Sequence, residues 1–178
     1  MDVNFNFEKF KSLVHYICWR CADPTKLGAV KLNKVLWRAD FRAYLELGEA
    51  VTGDRYVKRQ YGPVPASILG ALRELEVEGK LSIREVEYYD NPKKEFFALN
   101  RPDLSLFTPD EISLIDEAIE YVTEKHTARS ISEESHDRIW ELARIGEEIP
   151  YYTVFSKPAE ITVDDIEWAK TKIAELQD

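Results

Sequence analysis

The stretch GDRYVKRQYGPVP, residues 53–65, decides how the rest of the chain is read. Arg55, Lys58 and Arg59 stand beside Tyr56 and Tyr61, a mixture that can grip nucleic acid because cations bind phosphates and aromatic rings stack on bases. The same stretch holds Gly53, Gly62, Pro63 and Pro65, so it does not continue a helix. Tyr56 and Val57 predict one short extended piece, followed by a tight turn at YGPVP. Whether this corner meets a nucleic acid or another partner depends on what flanks it.

Two amphipathic helices are expected before it. Phe7, Phe10, Val14, Ile17 and Cys21 recur at steps of three and four, with Asn6 as N-cap. The second helix is expected over residues 29–47, with Leu32, Val35, Leu36, Ala39 and Ala43 inward and Gly48 at its C-terminal cap. After the corner, a third helix is expected from about Pro65 to Glu78. A β-hairpin follows, with Leu81, Ile83 and Val86 running out to a turn at DNPK and Phe96, Phe97 and Leu99 returning. The fold class is mainly α with a small β-hairpin, an α+β chain with a winged-helix-like N-terminal core followed by additional helices. In a winged helix the third helix usually reads DNA. Here it carries Arg73 against Glu74, Glu76 and Glu78, and Lys93 and Lys94 of the hairpin are offset by Glu85, Glu87, Asp90 and Glu95. Phosphates would be repelled, so the sequence disfavours nucleic acid as a partner.

Beyond residue 107 the expectation is helical. Thr108, Pro109 and Glu111 form a capping box ahead of Ile112, Ile115, Ile119 and Val122. A shorter helix is expected after Ser130 or Ser132, containing His136, Ile139, Trp140 and Ala143; EIPYYTVF reads as extended, and a last helix is expected over 162–176. His136 and Trp140, four apart, should share a face, either as packing or as a contact surface. Residues 1–178 are read as a single domain in two parts, a helical core with the hairpin over 1–107 and an acidic helical part over 108–178 packed on it.

The net charge of −9 is unevenly placed. Residues 1–107 hold 17 Lys and Arg against 15 Asp and Glu, a net of +2, and residues 108–178 hold 7 against 18, a net of −11. Such a part repels polyanions and attracts basic protein surfaces. No apolar run is long enough to span a membrane, the N-terminus lacks the pattern of a signal peptide, and two isolated cysteines fit a reducing compartment, so a cytoplasmic location is expected.

Catalytic chemistry finds little support. Cys18 and Cys21 form a CWRC motif, but they fall in the last turns of a helix, where the dipole does not favour a thiolate. His15 with these cysteines lacks the second pair that a zinc site needs. His126, at the end of an acidic helix, reads as a surface residue. No nucleophile–base pattern or phosphate loop stands out, and no cofactor or metal is expected.

Three pieces resemble the Panacea domain, also called the SocA-like antitoxin domain and often labelled phage-associated in bacteria and their viruses: KLNKVLWRADFRAYLELGEAVTGDRYVKRQYGPVP at 31–65, SHDRIWE at 135–141 and GEEIPYYTV at 146–154. The Lys-Leu-Asn-Lys helix start, the Ala39-Asp40 continuation and the Tyr61-Gly62-Pro63-Val64 turn carry the resemblance; Trp37-Arg38 departs from it. The resemblance implies a non-enzymatic bacterial or phage antitoxin that neutralises a cognate protein toxin by direct protein–protein interaction. It also admits a proteolytic adaptor that hands its toxin to a cytoplasmic protease. The partner-binding candidates are Lys34, Asp40, Arg55, Lys58, Arg59, Tyr61, His136 and Trp140, with Lys34 and Asp40 more readily read as internal polar links between helices. A winged-helix regulator bound to its own promoter is the runner-up, and a metal or thiol enzyme comes third.

Overall fold

In the computed structural model, which describes residues 4–88, 91–136 and 138–156, the chain is mainly helical with two small antiparallel hairpins. Helix α1 spans Phe7–Arg20 and starts where expected, because the Asn6 side chain accepts a hydrogen bond from Lys9 N at 3.0 Å. A 3-10 turn at Pro24–Lys26 leads into α2, Gly28–Leu47, which ends on Gly48 in the left-handed conformation. Helix α2 runs through the middle of the molecule. Its Leu32, Val35, Leu36 and Ala39 are buried together with Phe10, Leu13, Val14 and Ile17 of α1. Each large side chain removed from water there stabilises the fold by about 1.5–3 kcal/mol before the cost of ordering it.

The corner is more regular than the sequence suggests. Strands β1, Tyr56–Arg59, and β2, Gly62–Pro65, pair antiparallel with Tyr56 opposite Pro65 and Arg59 opposite Gly62. Two prolines are tolerated because β2 is an edge strand whose free side needs no N–H. Pro65 therefore belongs to the hairpin, and α3 begins three residues later, spanning Ile68–Val77. Strands β3, Leu81–Tyr88, and β4, Asn91–Ala98, form the second hairpin, with Leu81 opposite Ala98.

Helix α4, Pro109–Glu124, opens on the expected box: Thr108 Oγ1 accepts from Glu111 N and Glu111 Oε2 accepts from Thr108 N at 2.8 Å. Glu111 also takes Lys9 Nζ at 2.7 Å, which pins the start of α4 to α1. Leu114, Ile115, Ala118 and Val122 are buried in the same core as α2.

The single helix expected around His136 is two. Helix α5 spans Ala128–Glu134 and α6 spans Arg138–Leu142, with His136 in the connection. The start lies upstream of Ser130 because Thr127 is the cap: its Oγ1 accepts from Ser130 N, and Ser130 Oγ accepts from Thr127 N in return. EIPYYTVF is extended only in its first part. Residues 146–149 run along β1, with Lys58 N donating to Glu147 O, Gly146 N to Lys58 O and Ile149 N to Tyr56 O. Tyr151–Phe155 is instead a 3-10 turn begun at Pro150, whose carbonyl accepts from Thr153 N and Thr153 Oγ1. The turn lets the buried Tyr151 ring sit against Phe41 and Tyr44, with centroids at 4.7 and 5.4 Å. The helix expected over 162–176 lies outside the described residues.

Candidate functional site

The three recognisable stretches of sequence meet at one place, where the β1–β2 turn is held between the middle of α2 and the end of α5. Lys34 projects from α2 toward Gly62, is 1% exposed, and donates from Nζ to Ser135 Oγ at 2.6 Å. Ser135 Oγ in turn donates to Ser132 O at 2.8 Å, and Ser132 Oγ donates to Tyr61 O at 3.1 Å. The chain of bonds ties α2, α5 and the turn together. Among the described residues no carboxylate pairs with Lys34, so burial alone acts on its ammonium and brings its pKa down to about 7.

A second network lies one and a half turns further along α2. Asp40 is fully buried and accepts three hydrogen bonds, from Thr52 N and Thr52 Oγ1 at 2.7 Å and from Tyr56 Oη at 2.8 Å. Burial raises its pKa to about 6 against the opposing pull of these donors. Asp54 continues the network toward α3, taking Ser67 N and Ser67 Oγ at 2.9 Å, while its carbonyl accepts from Tyr151 Oη at 2.6 Å. The sequence pointed to Asp40 but gave no sign of Asp54, Ser67 or Tyr151, because their partners are 13 and 97 residues away.

Lys58 is also spent internally. It is 8% exposed, donates from Nζ to Ala143 O at 3.0 Å, and stands 3.8 Å from the centroid of the Trp140 ring. His136 and Trp140 do share a face, though from either side of a helix start: their rings stack at 3.6 Å with an interplanar angle of 6°. Desolvation first, then the nearby Lys34 and Lys58, lowers the pKa of His136 and favours the neutral imidazole. At the rim of this corner Arg55, Arg59 and Tyr61 remain exposed, Arg55 only 4.0 Å from Glu148. The eight candidates thus divide into an internal set, Lys34, Asp40, Lys58, His136 and Trp140, and an outward set of three.

Elsewhere the tempting chemistry is packed away. Cys18 and Cys21 are buried free thiols whose pKa values burial pushes up, and Cys21 Sγ donates to Asp23 O. Among the described residues no group of three or more His, Cys, Asp and Glu side chains could hold a metal ion, and no helix is long and apolar enough to cross a membrane. His126 is engaged by Ser130 and Glu134. The departure at Trp37-Arg38 has a local use: Trp37 packs against Phe41, and the Arg38 guanidinium lies 3.6 Å from the Tyr121 ring centroid, joining α2 to α4.

A mainly helical α+β protein whose motif residues build a buried polar corner is what fold and site define. The chain belongs to the family of SocA-like antitoxins: the family described as antitoxin SocA-like, Panacea domain, matches residues 32–141. That match runs from Leu32 in α2 through the corner to Trp140 and Glu141. No curated protein and no solved structure gives a significant match to the chain.

Proposed function

We propose that this protein is a non-enzymatic antitoxin that neutralises a protein toxin by direct binding, using the polar corner as a rigid frame and the exposed edge around it as the contact surface. The observation that carries this reading is the division of the motif residues. Lys34, Asp40 and Lys58 spend their polar groups on internal partners, whereas Arg55, Arg59 and Tyr61 stand exposed at the edge of the same corner, Arg55 in a loose, solvent-accessible pair with Glu148. Aromatic and arginine side chains on a rigid support suit a protein contact, since little further ordering is needed on binding. The net charge of −11 over residues 108–178 would speed encounter with a basic toxin.

The order of α1, α2, the first hairpin, α3 and the second hairpin is compatible with reading this part as a winged-helix-like scaffold and not as a DNA reader. Two of the three glutamates of α3 and its cap, Glu74 and Glu78, grip Lys11 of α1 at 3.0 and 2.7 Å, which favours packing over phosphate contact. The packing of α4 on α2 supports reading the two parts as one domain.

The test is growth of a bacterial host expressing the adjoining reading frame, with and without this protein, followed by co-purification. Relief of toxicity with a stable complex is the expected result. Relief with disappearance of the toxin would point to delivery to a protease, and a harmless neighbour would remove the antitoxin reading.

A further inference from the structure

Beside the corner, a groove of about 810 Å³ runs between the start of α2, strand β4 and the α4–α5 connection. Its charge is unlike that of the rest of the chain. Lys26, Lys31, Lys93, Lys94 and Arg129 line it, and Glu85 is the only carboxylate among the described lining residues, on a protein with a net charge of −9. Just outside the lining, Glu124 holds Lys26 at 3.0 Å and Glu95 stands 3.7 Å from Lys93, so Lys31 and Lys94 carry most of the groove's positive field. Several of these cations are built in. Lys31 is 8% exposed and gives its Nζ to the neutral Thr123 O at 3.2 Å. The Lys93 stem lies against Gly28, and its Nζ donates to Thr25 O. Lys94 and Arg129 are exposed at the rim, Arg129 bound to Glu133 by a pair that solvent can readily exchange.

Two further features give the groove a direction. Leu27, at the N-cap of the 20-residue α2, supplies no side-chain hydrogen bond, so the first-turn N–H groups and the positive end of the helix add to the lysines. At the other end a shallower recess of about 350 Å³ shares Val30, Ala128 and Arg129 with the groove and reaches Tyr61, which is 58% exposed. One end is cationic and the other is apolar and aromatic.

We propose that this groove binds an acidic segment of a partner protein, with carboxylates toward Lys31 and Lys94 and an apolar side chain in the recess between Val30 and Tyr61. A protein segment fits better than a nucleic acid because the positive field is short. Glu124, Glu133 and Glu134 follow directly along α4 and α5, so a continuing phosphate backbone would be repelled where a peptide can turn apolar. The inference stands whether or not the partner is a toxin.

The test is selection of a random peptide library on the immobilised full chain, with a Lys94→Glu/Arg129→Glu variant of matched thermal midpoint as comparison. The expected result is a set of peptides with net negative charge and at least one large apolar residue, bound about tenfold more weakly by the variant and weakened by salt. No selected peptides, basic peptides, or equal retention by both proteins would overturn the proposal. Displacement of the selected peptides by a synthetic peptide of residues 157–178, or self-association lost in the variant, would overturn the assignment to a separate partner.

Discussion

Lys34 and Gly62 occupy the same corner only because glycine has no side chain: a Cβ at position 62 would overlap Lys34 Nζ and come within 2.5 Å of Ser135 Oγ. Gly62 also has φ +106, a backbone conformation that costs other residues strain. Both effects act on the Tyr61-Gly62-Pro63-Val64 turn, so the most specific motif in the sequence is a packing requirement of the buried lysine.

Gly62→Ala should therefore lower unfolding free energy by about 3 kcal/mol in urea titration, the sum of backbone strain and overpacking. Gly48 supplies the control, since it too has positive φ, +83, but a Cβ there meets nothing within 4 Å. Gly48→Ala should cost about 1 kcal/mol. Equal losses at the two positions would mean that Lys34 moves aside without penalty.

Lys34 itself should make stability rise with pH. Its pKa is brought from the usual 10.5 down to about 7, so between these values the unfolded chain binds the proton and the folded chain does not. Unfolding free energy then increases from about pH 7 toward pH 10 and is level below pH 7 as far as this group is concerned. Lys34→Met removes the slope and, near neutral pH, leaves the protein equally stable or more so. Denaturant melts of both proteins at several pH values check this; parallel curves would show that Lys34 stays charged when folded.

Asp40 should act in the opposite direction. Its pKa is raised from 3.8 to about 6, so between these values the folded chain holds the proton and the unfolded chain does not. Its contribution to stability is present below about pH 4, falls as pH rises toward 6, and is constant above. The difference between wild type and Asp40→Asn should follow that profile. Asp40→Ala, which strands Thr52 N, Thr52 Oγ1 and Tyr56 Oη in the interior, should cost about 3 kcal/mol at neutral pH.

The sequence disclosed whatever was coded locally. The α1 stripe with Asn6, the Thr108–Glu111 box and the Gly48 stop are each contained within one helix and its cap, and each stands where the spacing placed it. Misread segments depended on distant partners. Glu148 and Ile149 are extended as expected, along the edge of β1, whereas Tyr151 turns helical because Phe41, Tyr44 and Asp54 take its ring and hydroxyl, about a hundred residues away. The division of the candidate residues was equally hidden, since Lys58 and Arg59 are adjacent cations in sequence and only strand alternation sends one inward to Trp140 and the other to solvent.

That alternation supplies the sharpest test of the proposed contact edge. Arg59→Glu combined with Tyr61→Ala changes two exposed side chains of the β1–β2 turn and should leave the thermal midpoint within a few degrees of wild type, as surface substitutions usually do. Lys58→Ala, one residue away, should lower it clearly, because the Ala143 carbonyl and the Trp140 ring lose a buried partner. In toxin co-purification and growth rescue the order should reverse: the Arg59/Tyr61 double variant loses the complex while remaining folded, and Lys58→Ala keeps it at temperatures where the fold persists. A double variant that rescues growth as well as wild type would move the contact surface away from this turn.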